Sequence, residues 1–297
     1  MSFSHIDALI CLVDTKDMKN LPTILILGAT GKTGSRVARI LEENGVTVRR
    51  ASRSSKDVSF DWDDTTTWNT ALQGVDRVYL VGPLLKTDIL QQVSGFLDVA
   101  EANSISHVTY VSLHDYRAMP EETGPRRVEI EFGTRSGFTH TVLRPAWFMQ
   151  NFSQTFLRPS GGQIIVPAGS GSEAFIDVED IAAVAAETLL HPDKHNGETY
   201  MLTGPESLTM SQAAKSISSA SGQDIKYVDV NREDWVKGVV ASGIPAAYGE
   251  VLKKLTQTIA DKNGSKPTQD VQKVIGRNPI SFADFALREV AAWSQTG

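Results

Sequence analysis

The stretch LILGATGKTGSR (Leu25–Arg36) combines two ways of gripping a nucleotide. Gly31-Lys32-Thr33 has the ending of a Walker loop, whose successive backbone N–H groups wrap a phosphate. Gly28, Gly31 and Gly34 instead follow the G-x-x-G-x-x-G order of a dinucleotide-binding turn. A Walker loop needs its first glycine five positions before Gly31, where this chain has Ile26, inside an apolar run. The two residues between Gly28 and Gly31 make too short a loop to encircle a triphosphate. In the dinucleotide reading Gly28 permits the tight turn and Gly31 lets the backbone approach a pyrophosphate. Gly34 allows close helix–strand packing, and the helix N-terminus favours the anion. Spacing therefore points to hydride chemistry and away from phosphoryl transfer.

A second stretch selects between cofactors. VRRASRSSK (Val48–Lys56) ends the second strand and contains no Asp or Glu to bond the ribose 2′-OH of NAD. Arg49, Arg50, Arg53 and Lys56 stand there instead. Guanidinium groups pair with a 2′-phosphate by charge-assisted hydrogen bonds, so NADPH/NADP is expected in preference to NADH. The competing reading is that these cations are merely solvated.

The usual acid–base pair of short-chain dehydrogenases, Tyr-x-x-x-Lys, is absent. Four residues after Tyr79, Tyr110, Tyr116, Tyr200, Tyr227 and Tyr248 come Pro83, His114, Pro120, Gly204, Asn231 and Leu252. Ser112, His114 and Tyr116 remain as catalytic candidates, since His114 titrates in a useful range and Tyr116 can donate a proton. As a lone loop histidine, His114 is still more often structural. Reduction of an iminium needs no donor, and a quinone can take its proton from water. The missing pair thus favours such electron-poor acceptors over simple ketones. His191 and His195 are four apart, but Pro192 interrupts the helix that would align them, so no metal site is expected. No Gly-x-Ser-x-Gly nucleophile elbow occurs.

Positioning these residues requires a sheet. Thr23–Leu27 is a short apolar run suited to a strand buried on both faces. Val37, Ile40 and Leu41 form a helical stripe, which Gly45 ends before Val46–Val48 resumes strand character. Further strands are expected at Val58–Trp62, Asp76–Val81, His107–Leu113 and His140–Leu143, with a helix around Ile89–Ala102 between them. This alternation predicts an α/β fold: a Rossmann-type doubly wound parallel sheet with a smaller, mainly helical C-terminal substrate lobe. Residues 1–20 read as an N-terminal extension, 21–150 as the NAD(P)-binding domain and 151–297 as mainly the substrate lobe. Thr199–Gly204 is a strand that could return to the sheet. Helices are expected at Val178–Leu190, Met210–Ser221 and Ala246–Ala260.

The 297 residues carry 22% charged and 41% hydrophobic side chains, an ordinary globular balance. A net charge of −6 without long basic runs disfavours nucleic acid as a partner. No apolar run reaches membrane-spanning length, and Cys11 is the only cysteine. A small-molecule substrate and a cytoplasmic, reducing location are expected. The oligomeric state is left open, as is whether residues 1–20 belong to the native protein, Met18 being an alternative start.

Along Pro22–Trp293 the chain resembles the NmrA-like branch of the atypical short-chain dehydrogenases/reductases. The carrying segments are LGATGKTG, FDW, VYLVGP (Val78–Pro83), LRPAWFMQN, FIDVEDIAAVA (Phe175–Ala185) and GRNPISFADFA (Gly276–Ala286). In particular it resembles the ergot-alkaloid dehydrogenases of festuclavine or agroclavine type and related bacterial NAD(P)H-binding reductases. The resemblance implies that Thr30, Lys32 and Thr33 line the pyrophosphate turn and that Arg53 meets the 2′-phosphate. It places Asp61 and Trp62 beside the adenine, Gly82 and Pro83 beside the ribose, and Ser112 and Pro145 near the nicotinamide. Trp147, Phe148, Met149 and Asn151 would face substrate, with core packing as the alternative for the first three. Many relatives carry Lys or His where this chain has Arg126 and Arg127, which are either solvated or an anchor for an anionic substrate. Two functions suit the missing acid–base pair. One is an NADPH-dependent reductase of a small iminium, enone or quinone. The other is a non-catalytic NADP(H)-sensing regulator of NmrA type.

Overall fold

The computed structural model describes residues 21–114 and 124–293. The apolar run becomes strand β1 (Thr23–Leu27), with Ile24 to Leu27 fully buried. It lies between β2 (Thr47–Ser52) and β4 (Arg77–Val81), parallel to both, which is why neither face can be polar. Helix α1 (Gly34–Glu43) buries Val37, Ala38 and Leu41, and Gly45 ends it with a φ of 78°. Strand β3 spans only Val58–Ser59, shorter than the expected Val58–Trp62. The chain bends at Asp61, whose carbonyl accepts the Trp68 indole N–H at 2.9 Å.

Helix α2 (Thr66–Leu72) precedes β4; α3 (Leu90–Ala102), β5 (His107–Val111), α4 (Gly124–Thr134) and β6 (Thr139–Pro145) follow. Beyond β6 come α5 (Asn151–Gln154), β7 (Gln163–Ile165), β8 (Ser172–Glu173), α6 (Val178–Leu190) and β9 (Thr199–Leu202). The remaining elements are β10 (Leu208–Thr209), α7 (Met210–Ser221), β11 (Lys226–Val228), α8 (Arg232–Ala241), α9 (Ala246–Ala260), α10 (Asp270–Ile275) and α11 (Phe282–Arg288).

Seven parallel strands run in the order β3-β2-β1-β4-β5-β6-β9, the expected Rossmann-type sheet with β9 paired to β6. Alternate residues of β1 serve opposite faces. Leu25 and Leu27 pack with Phe96 and Phe132 from α3 and α4, whereas Ile24 and Ile26 pack with Val37 of α1 and Ile181 of α6. A third core fills the C-terminal lobe, where Phe152, Phe175, Phe282 and Phe285 meet edge to face. This lobe is mainly helical and carries two small two-stranded sheets, β8 with β10 and β7 with β11. Among the described residues no helix is long and apolar enough to cross a membrane.

Candidate functional site

Because the strands are parallel, their C-terminal ends open along one edge of the sheet. Gly28 follows β1, Gly82 and Pro83 follow β4, Ser112 follows β5 and Pro145 closes β6, so the topology brings five predicted residues from four strand ends to one crevice. Gly28 has a φ of 66°, a conformation that strains any side chain, and its carbonyl accepts the Gly31 N–H at 2.8 Å. A Cβ at Gly34 would stand 2.4 Å from that same carbonyl oxygen, so α1 meets the turn as closely as backbones allow. Gly28, Thr30 and Gly31 are exposed, while Thr33 and Gly34 are packed inside. This open backbone at a helix N-terminus is the shape a pyrophosphate requires, and the residues present fit a dinucleotide.

Lys32 leaves the turn sideways. Its Nζ donates to Asn151 Oδ1 at 2.9 Å and Thr155 Oγ1 at 3.3 Å, bridging the cofactor turn to α5. Burial, reinforced by the neighbouring Arg36 charge, lowers the Lys32 pKa to about 8. Arg36 in turn donates to the Lys32 carbonyl at 2.8 Å and pairs with Glu179 on α6 at 2.6 Å.

The basic residues after β2 separate by environment. Arg49 bonds the Gln73 and Thr70 carbonyls, and Arg50 pairs with Glu42 at 2.7 Å. Both are structural. Arg53 and Lys56 are exposed beyond the end of β2 and hydrogen-bond to no described residue. Asp61 caps its own turn, its Oδ1 accepting the Asp63 N–H at 3.0 Å, and Trp62 is half-buried edge-on to Phe60, Trp68 and Phe96.

At the other end, Ser112 is buried and its N–H donates to Leu143 O at 2.8 Å. His114 is half-buried two residues further on, and Tyr116 lies outside the described residues. Tyr79 and Tyr110 are sealed in the cores on the two faces of the sheet, and burial pushes their phenols up. Arg127 pairs with Asp88 at 3.3 Å, and Arg126 is half-buried. Arg144 and Glu129 form a mostly buried ion pair fixing α4 against the end of β6. His195 bonds the Tyr200 hydroxyl at 2.8 Å, and no cluster of metal-ligating side chains occurs among the described residues.

Of the segment after β6, Trp147 and Phe148 are half-buried, whereas Met149 is 1% exposed in the core of the second lobe. Met149 thus packs against Phe152 and Phe175, the alternative weighed for it above. The sequence reading passed over what holds this segment. Gln150 is fully buried; its Nε2 donates to Asp177 Oδ1 at 2.9 Å and its Oε1 accepts the Val178 N–H at 3.0 Å. Asp177 also caps α6 and pairs with Arg288. The available signal was Asp177 immediately before a helical stripe with Glu179 and Asp180 in its first turn, an N-cap pattern. Leu85, in the loop after β4, holds a φ of 60°, a conformation costing a non-glycine residue about 1–3 kcal/mol.

A glycine turn opening onto the strand ends of this sheet defines a dinucleotide-binding Rossmann protein. The chain belongs to the NmrA-like family, which it matches over residues 20–285. It is 34% identical to the uncharacterized oxidoreductase YesF of Bacillus subtilis, over 93% of this chain and 98% of that one. It is 30% identical to the agroclavine dehydrogenase of Claviceps fusiformis, over 91% of this chain and 98% of that one. An NADPH-dependent quinone oxidoreductase of Escherichia coli, solved with NADPH, shares the fold. Its TM-score is 0.69 at 23% identity, over 89% of this chain and 98% of the other.

Proposed function

We propose that the protein is an NADPH-dependent reductase that delivers hydride to a small conjugated electrophile: an iminium, an enone or a quinone. Membership of the class of NAD(P)H-dependent oxidoreductases rests on the family and on relatives matched over nearly their whole length. The finer reading is carried by one observation. The Lys32 amine of the cofactor turn bonds Asn151 of the segment expected to face substrate, so the two halves of a hydride-transfer site adjoin. Bound NADPH would supply the hydride; the chain supplies the turn that seats the pyrophosphate, Arg53 for the 2′-phosphate and a partly apolar wall from Trp147 and Phe148. With Tyr-x-x-x-Lys absent, an acceptor already electron-poor suits the site best. Relatives named for agroclavine and for quinone fit that chemical range.

NADPH oxidation by the purified chain is expected with at least one class in a panel of quinones, cyclic imines and enones. Tight NADPH binding without turnover across the panel would overturn the reductase reading in favour of cofactor sensing. Arg53→Asp is expected to raise the NADPH dissociation constant by about 10- to 100-fold, through loss of charge-assisted bonds and added repulsion. The NADH constant should shift by no more than about threefold. Calorimetric titration with both cofactors checks this, and equal losses would sink the assignment of Arg53.

A further inference from the structure

We infer that Lys86 is a specificity-determining residue: by occupying the Asp63 carboxylate it leaves Arg53 available for the 2′-phosphate of the cofactor. The inference rests on the NADPH reading above and deepens it. Arg53 stands exposed directly after Ser52, whose carbonyl accepts the Phe60 N–H at 3.2 Å, so the turn after β3 that carries Asp63 runs alongside it. An unpaired Asp63 would act twice against NADPH, by attracting Arg53 and by repelling the phosphate. Instead Lys86 Nζ forms an ion pair with Asp63 Oδ1, and Gln92 Nε2 donates to the same oxygen at 2.8 Å. Gln92 also donates to the Trp62 carbonyl at 3.0 Å, which fixes the turn carrying Asp63.

Lys86 comes from the loop after β4, whose first residues Gly82 and Pro83 flank the crevice. The left-handed Leu85 directly precedes it. Backbone strain of this kind persists where its surroundings demand it, and here it turns the chain immediately before the lysine that reaches Asp63. Lys86 and Gln92 hold Asp63 from the side of α3, and Arg53 makes no ion pair with any described carboxylate. A lysine in a different loop thus acts on cofactor choice indirectly, through Asp63 and Arg53.

The test uses the full chain with Lys86→Gln, Asp63→Asn and the double variant, measuring NADPH and NADH dissociation constants at low ionic strength. Lys86→Gln is expected to raise the NADPH constant about fivefold while changing the NADH constant less than about twofold. Adding Asp63→Asn should return the NADPH constant to near the wild-type value, a rescue that simple loss of packing would not give. Equal weakening of both cofactors, or no rescue in the double variant, overturns the role of Lys86. Wild-type protein that binds NADH as well as NADPH overturns the underlying cofactor reading, and is recognised before any variant is made.

Discussion

Gly34→Ala is expected to cripple the protein although it adds a single methyl group. That methyl would sit 2.4 Å from the Gly28 carbonyl oxygen, 2.9 Å from its carbon and 3.3 Å from Ala29 Cα. All three are backbone atoms, so no side chain can swing aside, and either α1 or the turn must move. The turn cannot absorb the displacement cheaply: Gly28 already holds a positive φ, and the Ala29 N–H is tied to Ala51 O at 3.2 Å. Overpacking of this kind costs on the order of 2 kcal/mol, which for a chain of this size corresponds to a fall in Tm of roughly 5 °C. The larger effect falls on function. A shift of the turn by about 1 Å misplaces the cofactor, and kcat/KM for NADPH turnover should drop roughly 100-fold. Gly133 provides the control, because a Cβ there meets nothing within 4 Å and its backbone is helical. Gly133→Ala should leave turnover unchanged and Tm equal or slightly higher. Thermal melts and NADPH kinetics on the two variants check both expectations; a Gly34→Ala protein with wild-type kinetics would show that the turn is not the cofactor seat.

Gly34 also shows what one sequence makes legible. A glycine's role is local, so spacing after an apolar strand was enough to assign it. The same holds for α6, α7 and α9, whose limits at Val178–Leu190, Met210–Ser221 and Ala246–Ala260 agree with the helical pattern read from the residues, with side-chain caps on α6 and α7. VSFDW was misread in extent because its apolar alternation suits a strand and a packed turn equally. Phe60 and Trp62 join an aromatic cluster with Trp68 and Phe96 once the ladder ends at Ser59. The arginines after β2 were legible as a group but not singly. Arg49 finds its carbonyls on α2 and the turn after it, and Arg50 finds Glu42 on α1, pairings that depend on which helix covers the strand. Least legible were bonds across more than a hundred residues, such as Lys32 to Asn151 and Asp177 to Arg288. Local pattern carries no trace of these until the fold brings the segments together.

Asp177 is the residue where these long-range bonds converge, and Asp177→Ala is the second change with a large expected effect. The carboxylate is fully buried and serves three donors: the Glu179 N–H at 2.9 Å, the Gln150 amide at 2.9 Å and the Arg288 guanidinium. Alanine would remove the cap of α6, leave the buried Gln150 amide without its acceptor and release the exposed Arg288 guanidinium. Loss of the cap together with the orphaned buried amide costs about 3 kcal/mol. Gln150 immediately precedes Asn151, whose Oδ1 receives Lys32, so slackness at Asp177 passes directly to the contact between the cofactor turn and α5. KM for the electrophile should therefore rise together with the loss of stability, whereas the NADPH constant should change little because the glycine turn itself is untouched. Asp177→Asn separates the contributions: asparagine caps a helix nearly as well and can still accept from Gln150, but carries no charge for Arg288. Its melting temperature should fall between wild type and alanine, with KM nearer to wild type. Arg288→Ala should reproduce the stability loss only in part, since it leaves the cap and the Gln150 bond in place. Denaturation curves and steady-state kinetics on the three variants check the series. Equal losses in all three would mean that the ion pair alone matters and that Asp177 does not position the segment after β6.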